Sequence, residues 1–181
     1  MGVAGSGKSS QGRRLADEHG LPWVSTGEFF RMLVAGQKRK DMLAGKLLDD
    51  EEVIKLVSKI FAIVDTDHDF ILDGFPRRVA QADWLLNEAK HHNLEVTAVI
   101  NLQASEAVVS KRLLSRGRPD DTPESIRERF DEYQQETLPI IEHFKQAGVN
   151  VIDINADQPV DTVYALVEKA LGKVQTDVHQ G

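Results

Sequence analysis

The first twelve residues, MGVAGSGKSSQG, place the strongest constraint on the fold of this chain. Gly2, Gly7, Lys8 and Ser9 stand at the spacing G-x-x-x-x-G-K-[ST], the pattern of a loop whose backbone N–H groups surround phosphate oxygens. Such a loop joins the end of a buried parallel strand to a helix, which directs the positive end of its dipole at the anion. The pattern therefore predicts an α/β fold with an anion site at the end of a strand.

Short β-rich runs alternate with longer amphipathic runs along the rest of the chain, as in βαβ units. We predict strands at Trp23–Ser25, Phe70–Asp73, Val96–Leu102 and Val149–Ile154. A helical pattern follows each of them. The prediction is a three-layer sandwich, with helices on both faces of a parallel sheet, that forms a single domain over residues 1–181.

Helix boundaries are marked in several places. The run SSQGRRLADEHG continues the glycine loop as a helix that Gly20 closes. Thr122, Pro123 and Glu124 predict a second helix start, and Pro139 predicts a bend in that helix. The last helix has its apolar residues on one face and loses this periodicity after Leu171, where we expect the chain to fray; the face comprises Val160, Val163, Tyr164, Val167, Ala170 and Leu171.

The strand that should precede the glycine loop is missing, because only Met1 stands before Gly2. Without it the sheet has a gap at its middle. We therefore expect that roughly five apolar residues precede Gly2 in the natural gene product, or that Met1–Val3 form a vestigial strand.

Residues 26–69, between the first two predicted strands, are too many for one crossover helix. The run RKDMLAGKLLDDEEVIKLVSKIF predicts at least two short helices, and residues 26–62 are expected to form a small helical insertion. Ser25 and Glu28 have the spacing of a capping box at its first helix.

Composition excludes several classes of function. The absence of cysteine excludes disulfides, thiolate metal sites and a cysteine nucleophile, and the six histidines show no metal-ligand spacing. A net charge of −7 argues against bulk binding of nucleic acid. No apolar run is long enough for a membrane span and no signal segment opens the chain, so we expect a cytoplasmic protein without a membrane partner.

A second chemical motif is FILDGFPRR, an apolar strand that ends in Asp73 and is followed by Gly74 and Arg77. A carboxylate at the end of a strand beside a phosphate-binding loop is placed to hold the water shell of Mg²⁺. The alternative is that Asp73 is a turn residue and Arg77 a solvated cation.

Arginines cluster in the second half of this acidic chain. Arg112 and Arg116 lie four residues apart on one helix face, and Arg118 and Arg127 follow closely. Either nearby carboxylates neutralise them in a surface network, or they clamp a polyphosphate, for which bidentate guanidinium groups are suited.

Together these segments resemble the adenylate kinases, within the nucleoside monophosphate kinase family. The resemblance runs from Gly2 to about Leu171 and rests on GVAGSGKSSQG, STGEFFR, DGFPRR-x-x-Q and GRPDDTPESIRERF. It implies the reaction ATP + AMP ⇌ 2 ADP, with Mg²⁺ as cofactor and ATP, AMP and ADP as substrates.

The resemblance also implies roles for individual residues. The catalytic residues would be Lys8, Arg77, Arg116, Arg118 and Arg127. ATP would contact Gly5, Ser6, Gly7, Lys8, Ser9, Ser10, Arg112, Arg116 and Gln158. AMP would contact Thr26, Arg31, Lys46, Leu47, Leu48, Gly74, Phe75, Pro76, Arg77, Gln81, Arg118 and Arg127. Ser9 and Asp73 would hold Mg²⁺, partly through water.

The chain departs from the family pattern at two places. Residues 116–118 contain only Gly117 where longer members insert a lid, so cover for ATP must come from the insertion or from another subunit, and a homo-oligomer is one expectation. Ser9 stands where the family usually has glycine.

Three alternative functions stay open at this stage. One is a UMP/CMP kinase, although such kinases commonly carry alanine at the position of Thr26. The others are a small-metabolite kinase, such as a gluconate kinase, and a non-catalytic nucleotide-binding module.

Overall fold

The computed structural model describes residues 1–178 apart from 45, 66, 93 and 119. The strands are β1 (Trp23–Ser25), β2 (Ile71–Asp73), β3 (Val99–Gln103) and β4 (Val151–Asn155). The helices are α1 (Lys8–His19), α2 (Thr26–Leu33), α3 (Gly36–Leu43), α4 (Asp50–Phe61), α5 (Val79–His91), α6 (Glu106–Arg116), α7 (Pro123–Glu132), α8 (Leu138–Gln146) and α9 (Val160–Val178), with a π-helix at Tyr133–Thr137.

All four predicted strands are present, and they pair in parallel. Strand β1 pairs with β2, with Ser25 opposite Asp73, and β3 pairs with β4, with Val99 opposite Val151. In the part of the chain that the structure describes, these are two separate two-stranded sheets. The predicted gap in the sheet is therefore present.

The first residues lie along β3. The amide of Leu102 donates to the Met1 carbonyl oxygen at 3.0 Å, and the nitrogen of Met1 contacts the Ile100 carbonyl oxygen. Val3 is buried against Leu113 of α6. Residues 1–3 thus take part of the place of a strand, without being assigned as one.

Helices cover both faces of the strands. Along β3, Val99 belongs to an apolar cluster with residues of α4, α5 and α8, whereas Ile100 and Leu102 pack in a second cluster with residues of α1 and α9. The alternation follows from the two-residue period of a strand. It gives the predicted three-layer arrangement.

Helix α1 begins at Lys8 and is closed by Gly20, as predicted, and Gly20 has a φ of 67°. At the other end of the chain, α9 buries Val163, Tyr164 and Val167, also as predicted. Fraying was expected after Leu171, but the helix continues to Val178; residues 179–181 lie outside the described residues.

Thr122 caps α7, as predicted, and the bend near Pro139 stays a prediction. The chain passes through the π-helix before α8 begins, and the Leu138 amide donates to the Tyr133 carbonyl oxygen. Pro139 has no N–H to donate to the preceding turn, and a local change from α-helical to π-helical hydrogen bonds accommodates this missing donor.

The segment between β1 and β2 contains α2, α3 and α4. The predicted short helices are thus present, and Asp49 caps α4 by accepting from the amide of Glu51 at 3.0 Å. The predicted capping box at α2 was wrong. The hydroxyl of Ser25 donates to the carboxylate of Asp73 instead.

Candidate active site

A cavity of about 400 Å³ opens where the glycine loop, the ends of β1 and β2, the helical insertion and the arginine cluster meet. Most of the residues predicted to bind nucleotides line it. These are Gly5, Ser6, Gly7, Lys8, Ser9, Ser10, Thr26, Arg31, Lys46, Leu47, Leu48, Gly74, Arg77, Gln81, Arg112, Arg116 and Arg118, together with Asp73.

The glycine loop places the N-terminus of α1 at this cavity. Gly7 is the N-cap with a φ of 105°, a left-handed conformation that favours glycine, and the first turn of α1 carries no acidic residue. The free N–H groups and the positive end of the helix dipole therefore face the cavity, and no acidic side chain of the first turn offsets them.

Lys8 extends from the first residue of α1. Its Nζ donates to the Val3 carbonyl oxygen at 2.9 Å. Burial and, less strongly, the charge of Arg77 lower the pKa of Lys8 to about 8, although the charge of Asp73 acts in the opposite direction. The lysine is therefore a cation whose charge is poorly solvated.

Asp73, at the end of β2, is buried and joins two parts of the site. Its Oδ2 accepts from the hydroxyl of Ser9 at 2.7 Å and from that of Ser25 at 3.1 Å. Its carbonyl oxygen accepts from the hydroxyl of Thr26 at 3.2 Å. The carboxylate is thus held in one orientation at the foot of the cavity.

The turn after β2 brings Arg77 to the cavity wall. Gly74 has a φ of 82°, and a Cβ on it would lie 2.8 Å from the Thr26 hydroxyl, so this close approach requires glycine. The Nε of Arg77 donates to the Gly74 carbonyl oxygen at 3.0 Å. Burial lowers the pKa of Arg77, as expected of a guanidinium turned inward.

Gln81 is buried in the first turn of α5, and both the oxygen and the nitrogen of its side-chain amide have hydrogen-bond partners. Its Oε1 accepts from the backbone N–H of Arg77 at 2.8 Å. Its Nε2 donates to Asp50 Oδ1 at 2.6 Å.

Arg31 of the insertion lies opposite Arg118. Glu28 Oε1 is 3.3 Å from Arg31 and 3.7 Å from Arg118, so one carboxylate bridges the two guanidinium groups. Asp120 lies 3.8 Å from Arg31. Burial and then the charge of Arg118 lower the pKa of Arg31.

Behind these residues, two aspartates hold two arginines. Arg116 makes a bidentate pair with Asp121, at 2.8 and 2.6 Å. Arg129 pairs with Asp121 at 3.2 Å and also with Asp120. Burial disfavours ionisation of Asp121, but the hydrogen bonds and charge of Arg116, with the hydrogen bonds from Arg118 and Arg129, together outweigh it, and the pKa of Asp121 is lowered.

Arg112 reaches the cavity from α6. Its Nη2 donates to the Gln158 carbonyl oxygen at 3.0 Å, and its Nη1 lies 3.5 Å from the Ser6 carbonyl oxygen. It thereby connects the glycine loop to the segment before α9.

The structure separates four predicted residues from the cavity. Arg127 is exposed on α7. Phe75 is buried in the apolar core against Trp84, and Pro76 is buried beside it. Gln158 is exposed and offers only its backbone carbonyl oxygen to Arg112.

Arg129 is the functional candidate that the sequence analysis missed. Its side chain is 11% exposed and lines the cavity where Arg127 was expected. The helical period could have found it, because Ser125 and Ile126 are the buried face of α7 and residue 129 follows them by four and three positions. Arg127 falls on the opposite side.

This arrangement is suited to a ligand with several negative charges. A helix N-terminus, Lys8 and six arginines converge on one cavity in a chain with a net charge of −7; the arginines are Arg31, Arg77, Arg112, Arg116, Arg118 and Arg129. Among the described residues, no group of three or more His, Asp or Glu could hold a metal ion by itself. None of the helices in the described part of the chain has the length and apolarity to cross a membrane.

Comparison with known proteins agrees with this geometry. Residues 1–149 match the family model described as adenylate kinase. The chain is 40% identical over 179 residues to an adenylate kinase of Corynebacterium glutamicum (strain R), covering 96% of this chain and 97% of that one. It is 37% identical to an adenylate kinase of Sinorhizobium medicae (94% and 97% covered) and 35% identical to one of Oenococcus oeni (96% of each).

Proposed function

The chain belongs to the adenylate kinase family, whose reaction is ATP + AMP ⇌ 2 ADP, and we propose how its cavity divides this work among its residues. The observation that carries the proposal is the convergence of a helix N-terminus, a lysine and six arginines on one cavity. In this reaction an AMP phosphate oxygen bonds to the γ-phosphorus of ATP while the bond from that phosphorus to the β–γ bridging oxygen breaks. Positioning and neutralisation of charge supply most of the catalysis.

The donor nucleotide binds at the glycine loop. The N–H groups of the loop and of the first turn of α1 face its phosphates, and Lys8 lies at the β- and γ-phosphates. Arg112 borders the same side, held by the carbonyl oxygens of Ser6 and Gln158. An anion there restores the solvation that burial denies to Lys8.

The acceptor nucleotide binds on the side that the insertion forms. Arg31 and Arg77 contact its phosphate, since both guanidinium groups are partly desolvated and line the cavity. Leu48 and Gln81 border the place for its base. We assign residues 26–62 to this acceptor-binding insertion.

The transferred group lies between the two nucleotides, near Arg116, Arg118 and Arg129. The buried carboxylates of Asp120 and Asp121 fix two of these arginines before any substrate binds. Preorganised guanidinium groups stabilise charge on the equatorial oxygens of the transition state without reorganisation. Arg129 takes the role that the sequence analysis gave to Arg127.

Mg²⁺ fits the residues at the foot of the cavity. The Asp73 carboxylate and the Ser9 hydroxyl offer oxygen atoms, which this cation prefers, and the Ser9 oxygen keeps its lone pairs while its proton is donated to Asp73. Held there together with water, the ion would neutralise charge on the donor phosphates. Ser9 and Ser25 hold the carboxylate ready for this role.

The reaction is tested by ADP formation in a coupled assay with purified chain, ATP, Mg²⁺ and one monophosphate at a time. We expect AMP to be preferred over UMP and CMP, and no turnover with gluconate. Preference for UMP or CMP would favour the pyrimidine kinase, and nucleotide binding without turnover would favour a non-catalytic module. The oligomeric state and the cytoplasmic location stay predictions.

A further inference from the structure

Arg78 belongs to the FILDGFPRR motif but has no part in the site described above. It is the N-cap residue of α5, and its side chain is 27% exposed. Its Nη1 donates to the Leu48 carbonyl oxygen and to Asp50 Oδ1, each at 3.2 Å. Its Nε lies 3.5 Å from Glu136 Oε2 in the π-helix. One guanidinium thus connects the start of α4, the start of α5 and the π-helix.

Asp50 carries this connection to the cavity, because its Oδ1 also accepts from Gln81 Nε2. The other end of the Gln81 amide accepts from the backbone N–H of Arg77. A backbone N–H requires an oxygen partner and a carboxylate requires a donor, so these two contacts fix which end of the amide is oxygen. The second N–H of Gln81 Nε2 and the second lone pair of Oε1 therefore have fixed positions and cannot exchange places.

The Asp50 carboxylate depends on Arg78 for its place. The ion pair that the described residues give Asp50 is with Arg78, and the Asp50 side chain is 31% exposed. Without the guanidinium, the carboxylate gains solvation by turning outward. The Nε2 of Gln81, which is buried, would then lose its partner and the amide could rotate.

We propose that Arg78 is a positioning residue that fixes the Gln81 amide through Asp50 and so sets the preference for a 6-amino over a 6-oxo purine monophosphate. A 6-aminopurine offers an acceptor at N1 beside an N–H donor at N6, and a 6-oxopurine offers the reverse. An amide of fixed orientation complements one of them, whereas a rotating amide accepts both. The proposal rests on the proposed function, in which the acceptor base lies beside Leu48 and Gln81.

The test compares AMP with IMP as acceptor in steady-state kinetics. The variants are Arg78→Ala, Arg78→Lys and Asp50→Ala, and the double variant joins the two alanines. Arg14→Ala is the matched control, because Arg14 pairs with Glu18 in α1 (2.8 Å) and joins α1 to α9 through Asp161 (2.7 Å), and none of these three residues lines the cavity. KM for AMP, KM for ATP, kcat and the melting temperature are measured for each.

For Arg78→Ala we expect KM for AMP to rise about five- to tenfold, the effect of one or two lost hydrogen bonds, with KM for ATP unchanged. The ratio of kcat/KM for AMP to that for IMP should fall about tenfold. Asp50→Ala should reproduce both effects, and the double variant should add little, because the two residues act through one amide. Arg78→Lys keeps the charge and should restore part of the selectivity. Arg14→Ala should change neither the KM for AMP nor the ratio of kcat/KM for AMP to that for IMP.

An unchanged ratio of AMP to IMP in Arg78→Ala would overturn the inference. A parallel loss for ATP and AMP together with a lower melting temperature would also overturn it, since it would show a merely structural role. If Arg78→Ala does not fold, the same readouts in Arg78→Lys decide. A wild-type chain that forms no ADP from ATP and AMP would overturn the proposed function and this inference with it, and that result is distinct from the other two.

Discussion

Replacing Lys8 by methionine should strongly reduce phosphoryl transfer and stabilise the ligand-free protein. Methionine keeps an unbranched apolar stem and removes the charge. Burial lowers the pKa of Lys8 from 10.5 to about 8. This shift corresponds to about 3 kcal/mol of destabilisation of the folded protein by the charged lysine, which the variant removes. The variant also loses the hydrogen bond to Val3, which costs it about 1 kcal/mol. The net expectation is a gain of about 2 kcal/mol at pH 7, or a rise of about 4–8 °C in melting temperature.

The sign of the pH dependence follows from the direction of the shift. Between pH 8 and 10.5 the unfolded chain holds a proton on Lys8 that the folded chain has released, so the stability of the wild type rises with pH in this window relative to the variant. The advantage of Lys8→Met should therefore be complete below pH 8, should vanish at about pH 9.5, and should become a disadvantage of up to about 1 kcal/mol towards pH 10.5, because only the lost hydrogen bond to Val3 then counts.

The assay is urea unfolding of both proteins between pH 7 and pH 10.5, with Lys90→Met as the control at an exposed lysine. Activity of Lys8→Met should fall by roughly 3–4 kcal/mol of transition-state stabilisation, a factor of about 10²–10³. A variant less stable than the wild type at pH 7, or a stability difference that does not change with pH, would refute the reasoning. Near-normal activity would refute the assignment of Lys8 to the phosphates.

Three further predictions concern single residues of the site. Arg129→Lys keeps the charge but loses the two-sided pairing with the aspartates, so kcat should fall about 10²-fold, whereas Arg127→Lys should stay within about twofold; the reverse order in steady-state kinetics would restore the original assignment. Thr26→Ala should shift kcat/KM from AMP towards UMP or CMP by about tenfold, and lower stability with unchanged preference would show a structural role only. Ser9→Ala removes one donor to Asp73, so it should raise about tenfold the Mg²⁺ concentration needed for half-maximal ATP binding, measured by calorimetry, and for half-maximal activity. Equal Mg²⁺ dependence of the variant and the wild type would exclude this role of Ser9.

The elements of the fold could be predicted from the sequence where one local rule acted alone. Strand β1 has the predicted bounds, because Trp23–Ser25 is a short β-rich run enclosed by Pro22 and the start of α2. Strands β3 and β4 begin later than predicted, since Val96 and Val149 are apolar but lie outside the paired register. Apolar pattern indicates burial, whereas hydrogen-bonded pairing depends on the neighbouring strand.

The errors at the site arise where two local rules compete. Ser25 has the spacing of a helix cap, yet its hydroxyl is turned towards Asp73, to which it donates, and its oxygen accepts from no N–H of the first turn of α2. Arg127 was chosen by its place in a motif, whereas the helical period places Arg129 beside Asp120 and Asp121. The convergence of the arginines was predictable as a charge requirement. Which arginine faces inward is decided by tertiary packing.

The division of the strands into two pairs has a consequence for how the molecule unfolds. A two-stranded sheet is marginal by itself. Asp73 and Ser25 belong to the β1–β2 pair, whereas Arg112 and Arg116 lie on α6, which packs against Val3. A nucleotide bound in the cavity as we propose would contact both groups of residues at once and would link them.

Apolar packing of Ile71 with Ile100 and Leu102 already couples the two pairs, and a bound nucleotide should add to this coupling. It should slow hydrogen exchange of β1 and β2 together with that of β3, and at saturating concentration it should add RT ln(1 + [L]/Kd) to the free energy of unfolding.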